Sequence, residues 1–214
     1  MIIKRLGRKL GTENKQPRLQ YSCSTNFTLT GGEKMKKAFW VVLLAMLLTA
    51  SFAMAAELKV GDKAPDFKLK DALADKDYTL ASPELAGKVL YIVYASTSAA
   101  DDNDHVSEAL KADKDLERLK NENKYRGVGI ANQKDSGVPN FVIKSVAKSK
   151  QKKTGAIVLL DSDFTIGNTW GVPKKIATSI LIDKDRIVRF IYSGKIPAQD
   201  IPKIIGLIKE SAAK

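Results

Sequence analysis

The chain has 214 residues, a formal net charge of +12 and one cysteine, Cys23. Residues 1–55 hold nine of the basic residues and two of the acidic ones, which leaves 27 basic and 22 acidic residues in the remainder. An excess of five charges serves solubility and excludes the strong basic footprint of a nucleic-acid partner. Glycine-rich phosphate-binding motifs do not occur in the sequence, so we expect no nucleotide cofactor, and no other cofactor is indicated.

Residues 35–55 have the three parts of a Sec-type secretory signal peptide. Two lysines precede an apolar run over residues 38–52, which is shorter than the ~20 residues of a membrane span. Small residues at 53 and 55 predict cleavage between Ala55 and Ala56. We therefore expect a periplasmic protein that meets the membrane only through this transient segment; an uncleaved anchor is the alternative.

Residues 1–34 do not suit the front of a signal peptide, whose charged end belongs at the N-terminus. The sequence Gly-Gly-Glu-Lys over residues 31–34 can be encoded by a purine-rich stretch of the kind that precedes bacterial start codons. We expect translation to begin at Met35 and residues 56–214 to form one mature domain. That domain has no cysteine, so it relies on packing without disulfides.

The first half of this domain predicts strands. Residues 67–70 alternate apolar and polar, and residues 77–80 are placed to pair with them as a hairpin. The continuous apolar run over 89–94 is typical of a central strand buried on both faces. Ser96 to Ser98 end that run, and a helix is predicted to open with Asp101, Asp102 and Asp104 and to change register near residues 111–114.

The second half alternates strands and helices. Strands are predicted at 125–131 and 156–160, with a helix from Pro139 between them and a short helix or turn at 166–170. Residues 178–182 and 187–191 form an antiparallel hairpin before a last helix near Pro197, whose isoleucines repeat at helical spacing. The order predicts an α/β three-layer sandwich, with a mixed central sheet between two helical layers and an N-terminal β-hairpin extension.

The segment Lys59 to Phe67, with its Gly-Asp-Lys-Ala-Pro-Asp core, resembles the opening of extracytoplasmic thioredoxin-like and peroxiredoxin-like proteins. Residues 87–96 resemble the strand that leads into their Cys-x-x-Cys motif. The resemblance implies a thioredoxin-like fold in which Ser98 and Asp101 occupy the two cysteine positions. It also places Ala177 where the family has a cis-proline; we expect a trans bond there, with Pro173 in a shifted loop as the alternative.

A narrower resemblance is to the YtfJ-type branch of exported thioredoxin-like proteins. It rests on short sequence matches that occur in the same order as in that branch and extend over most of the mature chain. They are Thr97-Ser98-Ala99, Asn132, Asp135, Val138-Pro139, Phe141-Val142, Asp161-Ser162, Trp170, Asp183-Lys184-Asp185 and Gln199-Asp200.

Thiol redox catalysis needs a thiolate, and the mature sequence has none. Ser98 lacks a neighbouring base, because the only histidine, His105, lies about two helical turns away, so we interpret Ser98 as a helix cap. Asp101 and His105 are spaced i, i+4 and are the only candidates for a metal site, although acids in a first turn usually need no metal. We assign no catalytic residue.

The leading hypothesis is a binding module of the cell envelope with a protein or peptide partner. Its predicted contact rim comprises Thr97, Ser98, Asp102 and Thr178, where thioredoxin-like proteins grip extended polypeptide. The alternatives are an enzyme of another class, such as a metal-assisted hydrolase around Asp101 and His105, and an accessory of a redox pathway.

Overall fold

The computed structural model describes residues 57–134 and 136–214. The predicted upstream extension, the signal peptide and its cleavage position at Ala55 and Ala56 lie outside the described residues, as does Asp135. None of the described helices is long and apolar enough to cross a membrane.

Seven strands form one mixed sheet in the order β2-β1-β5-β4-β3-β6-β7. Parallel pairing joins β3, β4 and β5, and all other pairs are antiparallel. The strands are β1 (Leu69–Asp71), β2 (Asp77–Tyr78), β3 (Val89–Ser96), β4 (Tyr125–Asn132), β5 (Ile157–Asp161), β6 (Thr178–Ile182) and β7 (Val188–Ser193). The mixed sheet, its N-terminal hairpin at one edge and its C-terminal hairpin at the other confirm the predicted fold class.

Five helices accompany the sheet in the described part of the chain. They are α1 (Asp104–Ala112), α2 (Lys114–Asn121), α3 (Asn140–Thr154), α4 (Thr165–Trp170) and α5 (Ile201–Ala213), with short 3₁₀ turns at Thr97–Ala99 and Ala198–Asp200. The predicted change of register after α1 is confirmed, because Asp113 interrupts the helix and caps α2 by accepting from the N–H groups of Asp115 and Leu116.

The helices divide unequally between the two faces of the sheet. On one face, α4 packs Ile166 and Trp170 against the strands, and the Trp170 indole donates to the carbonyl of Pro65 at 3.0 Å. The other face carries α1, α2 and α5 over β3 and β6, and α3 over β5. Within α5, Ile204 and Ile208 are fully buried, as the isoleucine spacing predicts.

The start of α1 differs from the prediction. Asp101 and Asp102 precede the helix, which begins at Asp104 after the 3₁₀ turn. Buried Asn103 directly precedes α1. Its side chain bonds to a loop distant in sequence, and these bonds fix where the helix begins.

Candidate functional site

The three parallel strands end together in a row of polar residues. Ser96, Asn132 and Asp161 are paired in register at the carboxyl ends of β3, β4 and β5, and all three are buried. In open α/β sheets the crevice outside these strand ends is the usual place for a ligand. This edge also carries the predicted redox-motif positions, so we call it the carboxyl rim.

Asp161 is the most enclosed carboxylate of the rim. It accepts hydrogen bonds from the N–H groups of Thr165 and Ile166 at 2.7 and 3.0 Å, and it interacts with the hydroxyl of Tyr94. Burial raises the pKa of Asp161 above its ordinary value, and the backbone donors only partly offset that effect. Asp161 therefore binds the backbone N–H groups at the N-terminus of α4.

Ser98 is exposed on the 3₁₀ turn, and its hydroxyl lies 3.0 Å from that of Ser96. The ring Nε2 of His105 instead lies 2.8 Å from the carbonyl of Ile196. A nucleophilic serine needs a base within hydrogen-bond reach, and no imidazole or carboxylate among the described residues is bonded to Ser98. Ser98 therefore has no general base among the groups bonded to it in the described part of the chain.

Asp101 lies outside α1, and its side chain pairs with a lysine. Its side chain is 82% exposed and lies 2.7 Å from Nζ of Lys150, which also contacts Asp104 at 3.0 Å. The hydrogen bond to Lys150 lowers the pKa of Asp101. Partial burial by itself would lower the pKa of Lys150, but its hydrogen bonds to Asp101 and Asp104 outweigh that effect and raise it.

The prediction that Asp101 and His105 lie four residues apart on one helix is wrong. Asp101 and His105 do not share a helix face, because α1 begins only at Asp104, and each side chain is bonded elsewhere. Across residues 57–134 and 136–214, no group of three or more His, Cys, Asp or Glu side chains is placed to hold a metal ion.

Ala177 is sealed inside the rim. It packs with Ala95 and Ala99 in a small buried cluster, and its carbonyl accepts from the N–H of Gly194 at 2.7 Å. The peptide bond before Ala177 is trans, as expected, and since no described bond is cis, the alternative of a cis bond at Pro173 is wrong.

Thr178 does not belong to a contact surface, contrary to the prediction. It is fully buried, its hydroxyl lies 3.0 Å from that of Ser193, and its backbone pairs with both neighbouring strands. The reason is topological, because β6 lies between β3 and β7 and has no free edge. Thr97 and Asp102 are half-buried, so Ser98 is the most accessible of the four predicted rim residues.

The accessible rim residue that sequence reasoning missed is Ile176. This residue is 46% exposed and comes directly before buried Ala177. Its backbone N–H and C=O bond to no other described residue. Because Ala99 and Ala177 pack together, Ser98 and Ile176 lie at the same end of the domain. One feature of the sequence could have indicated this exposure. Ile176 lies outside every predicted strand and directly precedes Ala177, which stands where the family has its cis-proline.

Phe141 is a second large apolar residue exposed near the rim. It lies in the first turn of α3, which follows the carboxyl end of β4, and it is 75% exposed. The sequence placed Phe141 on this helix but did not reveal its exposure, because Ile143 and Ala147 form the buried face of α3.

Comparison of the fold places the domain in the thioredoxin-like class. It aligns with a protein from Bacteroides thetaiotaomicron assigned as a protein disulfide isomerase, with a TM-score of 0.55 and 18% identity over 73% of this chain and 92% of that one. The peroxidoxin BcpB of Mycobacterium tuberculosis aligns with a TM-score of 0.52 and 21% identity over 72% and 98% of the two chains.

The particular family follows from the sequence. Residues 54–211 match the family described as "Bacterial protein of unknown function (YtfJ_HI0045)", and the chain belongs to it. An uncharacterised protein of Haemophilus influenzae is 29% identical over 185 residues, which cover 81% of this chain and 97% of the relative. The predicted thioredoxin-like fold and the predicted YtfJ-type family are thereby confirmed.

Proposed function

We propose that this protein is an exported, thiol-independent binding module that holds extended polypeptide at the carboxyl rim. The contact surface centres on Ser98 and Ile176, with Phe141 as a second apolar contact. Compared with the predicted rim, this surface keeps Ser98, has Ile176 in place of Thr178 and adds Phe141.

The backbone of Ile176 is the observation that carries this proposal. An exposed residue with a free N–H and a free C=O can pair with an extended chain in the manner of an added strand. Its isoleucine side chain supplies apolar area beside those two groups, and burial of such area contributes ~25 cal/mol per Å². The carbonyl of Ala177 and the backbone of Thr178 are occupied internally, so pairing is restricted to Ile176.

Thiol independence rests on the composition of the domain. Residues 57–214 contain no cysteine, and Ser98 and Asp101 stand at the two redox positions. A hydroxyl and a carboxylate cannot form or exchange a disulfide. Export rests on the signal-peptide pattern of residues 35–55, which would place the module and its partner in the periplasm.

Binding is tested with a permanently unfolded polypeptide, fluorescein-labelled carboxymethylated lactalbumin, by anisotropy titration. We expect Ile176→Ser to weaken binding at least fivefold, because it removes the apolar contact. Val60→Ser is the matched control: Val60 is also β-branched, is 62% exposed and lies away from the rim, so its affinity should equal that of the unmodified protein. Absence of binding, or equal losses in both variants, would refute the proposal.

Thiol independence is tested separately with the Cys23→Ser protein in an insulin-reduction assay. We expect no exchange above the uncatalysed rate. Turnover in this cysteine-free protein would overturn the interpretation of the motif and leave the binding result untouched.

A further inference from the structure

The centre of the sheet is not covered on its helical face. Strand β4 is the middle strand of the seven, yet Gly127, Gly129 and Ala131 are each partly exposed, as is Val93 on neighbouring β3. Central parallel strands in α/β proteins are normally buried on both faces. The helices α1 and α2 on one side and α3 on the other therefore leave an opening above β4.

That opening is an elongated cavity of about 490 Å³. It follows β4 from Tyr125 to Ala131, which is about 20 Å at ~3.3 Å per residue. Apolar side chains form its walls, including Leu110 and Leu116 on one side and Ile143 on the other. Volumes of ~300–1,000 Å³ with mainly apolar lining are typical of small-molecule sites.

The glycines in the floor are not required by the fold. Neither Gly127 nor Gly129 has a φ in the left-handed region. A Cβ at Gly127 would lie 3.7 Å from that of Ala156, and one at Gly129 would lie 3.5 Å from Cγ2 of Val158, both ordinary contacts. Strand glycines that neither a turn nor close packing demands often mark the approach of a ligand.

Polar groups stand at both ends of the cavity. In the 3₁₀ turn after β3, Thr97 lines it with a hydroxyl that is buried without a hydrogen-bond partner among the described residues. Three lysines, Lys111, Lys120 and Lys153, line the other end, where Lys111 Nζ donates to the carbonyl of Lys153 at 3.4 Å. They outnumber the carboxylates of Glu108 and Glu117, which also line the cavity. None of the three lysines is within 4 Å of a described carboxylate. This end is electropositive.

We propose that the cavity binds a single-chain amphiphile with an anionic head group, such as a long-chain fatty acid. The alkyl chain lies along the glycine floor of β4, and the lysine-lined end receives the carboxylate. Neither Ser98 nor Ile176 lines the cavity, and its occupation does not depend on the proposed function.

The test uses displacement of dansyl-undecanoic acid from the full-length protein by palmitate. Gly129→Leu places a side chain in the cavity, and we expect it to reduce probe binding at least tenfold. Gly206→Leu is the control, because Gly206 is exposed on α5 and a Cβ added there would meet nothing within 4 Å, so it should bind as the unmodified protein does. Gly127→Val is the second cavity variant in case Gly129→Leu fails to fold.

Failure of palmitate to displace the probe, or full binding by a folded cavity variant, would overturn the proposal. The head group is tested with Lys120→Gln/Lys153→Gln, comparing palmitate with hexadecanol and with lysophosphatidate. We expect this variant to bind both acids at least threefold more weakly and to bind the alcohol unchanged. Lysines that only complement the C-terminal ends of their helices would leave all three affinities unchanged, which would refute the assignment of the head group.

Discussion

Asn103 and Ile196 are joined across 93 positions of sequence by a hydrogen bond of 2.9 Å from the Ile196 N–H to the Asn103 side-chain oxygen. The same side chain donates to the carbonyl of Gly194 at 3.0 Å. One buried amide thus ties the start of α1 to the loop that follows β7. That loop also supplies the N–H that occupies the carbonyl of Ala177. The geometry of the rim therefore depends on Asn103.

Replacement of Asn103 by alanine is expected to lower the free energy of unfolding by about 2–3 kcal/mol, since the buried N–H of Ile196 and the partly buried carbonyl of Gly194 lose their partner. Urea denaturation measures the change. Asn121→Ala is the control, because Asn121 is exposed at the end of α2 and its loss should cost less than about 0.5 kcal/mol. Equal effects in the two variants would show that Asn103 does not hold the loop.

The pair of Lys150 and Asp101 predicts a shift that NMR can follow directly. Because Lys150 lowers the pKa of Asp101, the pair stabilises the fold above the ordinary aspartate pKa, and the contribution is lost as pH falls through the lowered value. In Lys150→Met the pKa of the Asp101 carboxyl should rise towards its ordinary range. Lys152→Met, an exposed neighbour on α3, should leave it low; a low pKa in both variants would contradict the pairing.

For Asp161 we expect the opposite dependence of stability on pH. Its folded pKa is raised by burial, so its contribution to stability is fully present below the ordinary aspartate pKa and declines as pH rises through the raised value. The unfolding free energy of the unmodified protein relative to Asp161→Asn should therefore fall between about pH 4 and neutrality. Chemical denaturation at three pH values measures it. A difference that grows with pH would contradict the assignment.

The floor glycines predict a gain in stability. Gly129→Ala adds a Cβ in ordinary contact with Val158 and should raise the free energy of unfolding by about 0.5–1 kcal/mol. Gly171→Ala is the counterpart, because its φ is +65° and its Cβ would lie 2.7 Å from Cα of Glu57, so it should destabilise. Thermal unfolding compares the two. A fall in stability in Gly129→Ala would mean that the floor is tightly packed.

The spacing of apolar residues predicted most of the strands and helices, because buried faces are apolar in the sequence. The unbroken apolar run of β3 and the isoleucines of α5 identified a central strand and an amphipathic helix, and both are present. The start of α1 was misplaced because three acids in four residues suggest a helix N-terminus, whereas the buried amide of Asn103 makes contacts that only tertiary structure reveals.

The site was less predictable than the fold. The motif placed Ser98 and Asp101 at the redox positions and Ala177 at the proline position, and that assignment stays a prediction. The exposure of individual rim residues could not be predicted from the sequence in the same way. Thr178 and Ile176 are two residues apart, yet the first is enclosed between β3 and β7 and the second is open. That difference depends on which strands neighbour β6, which local sequence does not specify.

Titration of the ¹⁵N-labelled protein with carboxymethylated lactalbumin, followed by amide chemical shifts, tests the central claim most directly. We expect the largest changes on the carboxyl rim, at Ser98, Ile176 and Phe141, and no change in the N-terminal loop at Val60. Changes centred on Val60, or no changes at saturating polypeptide, would contradict it.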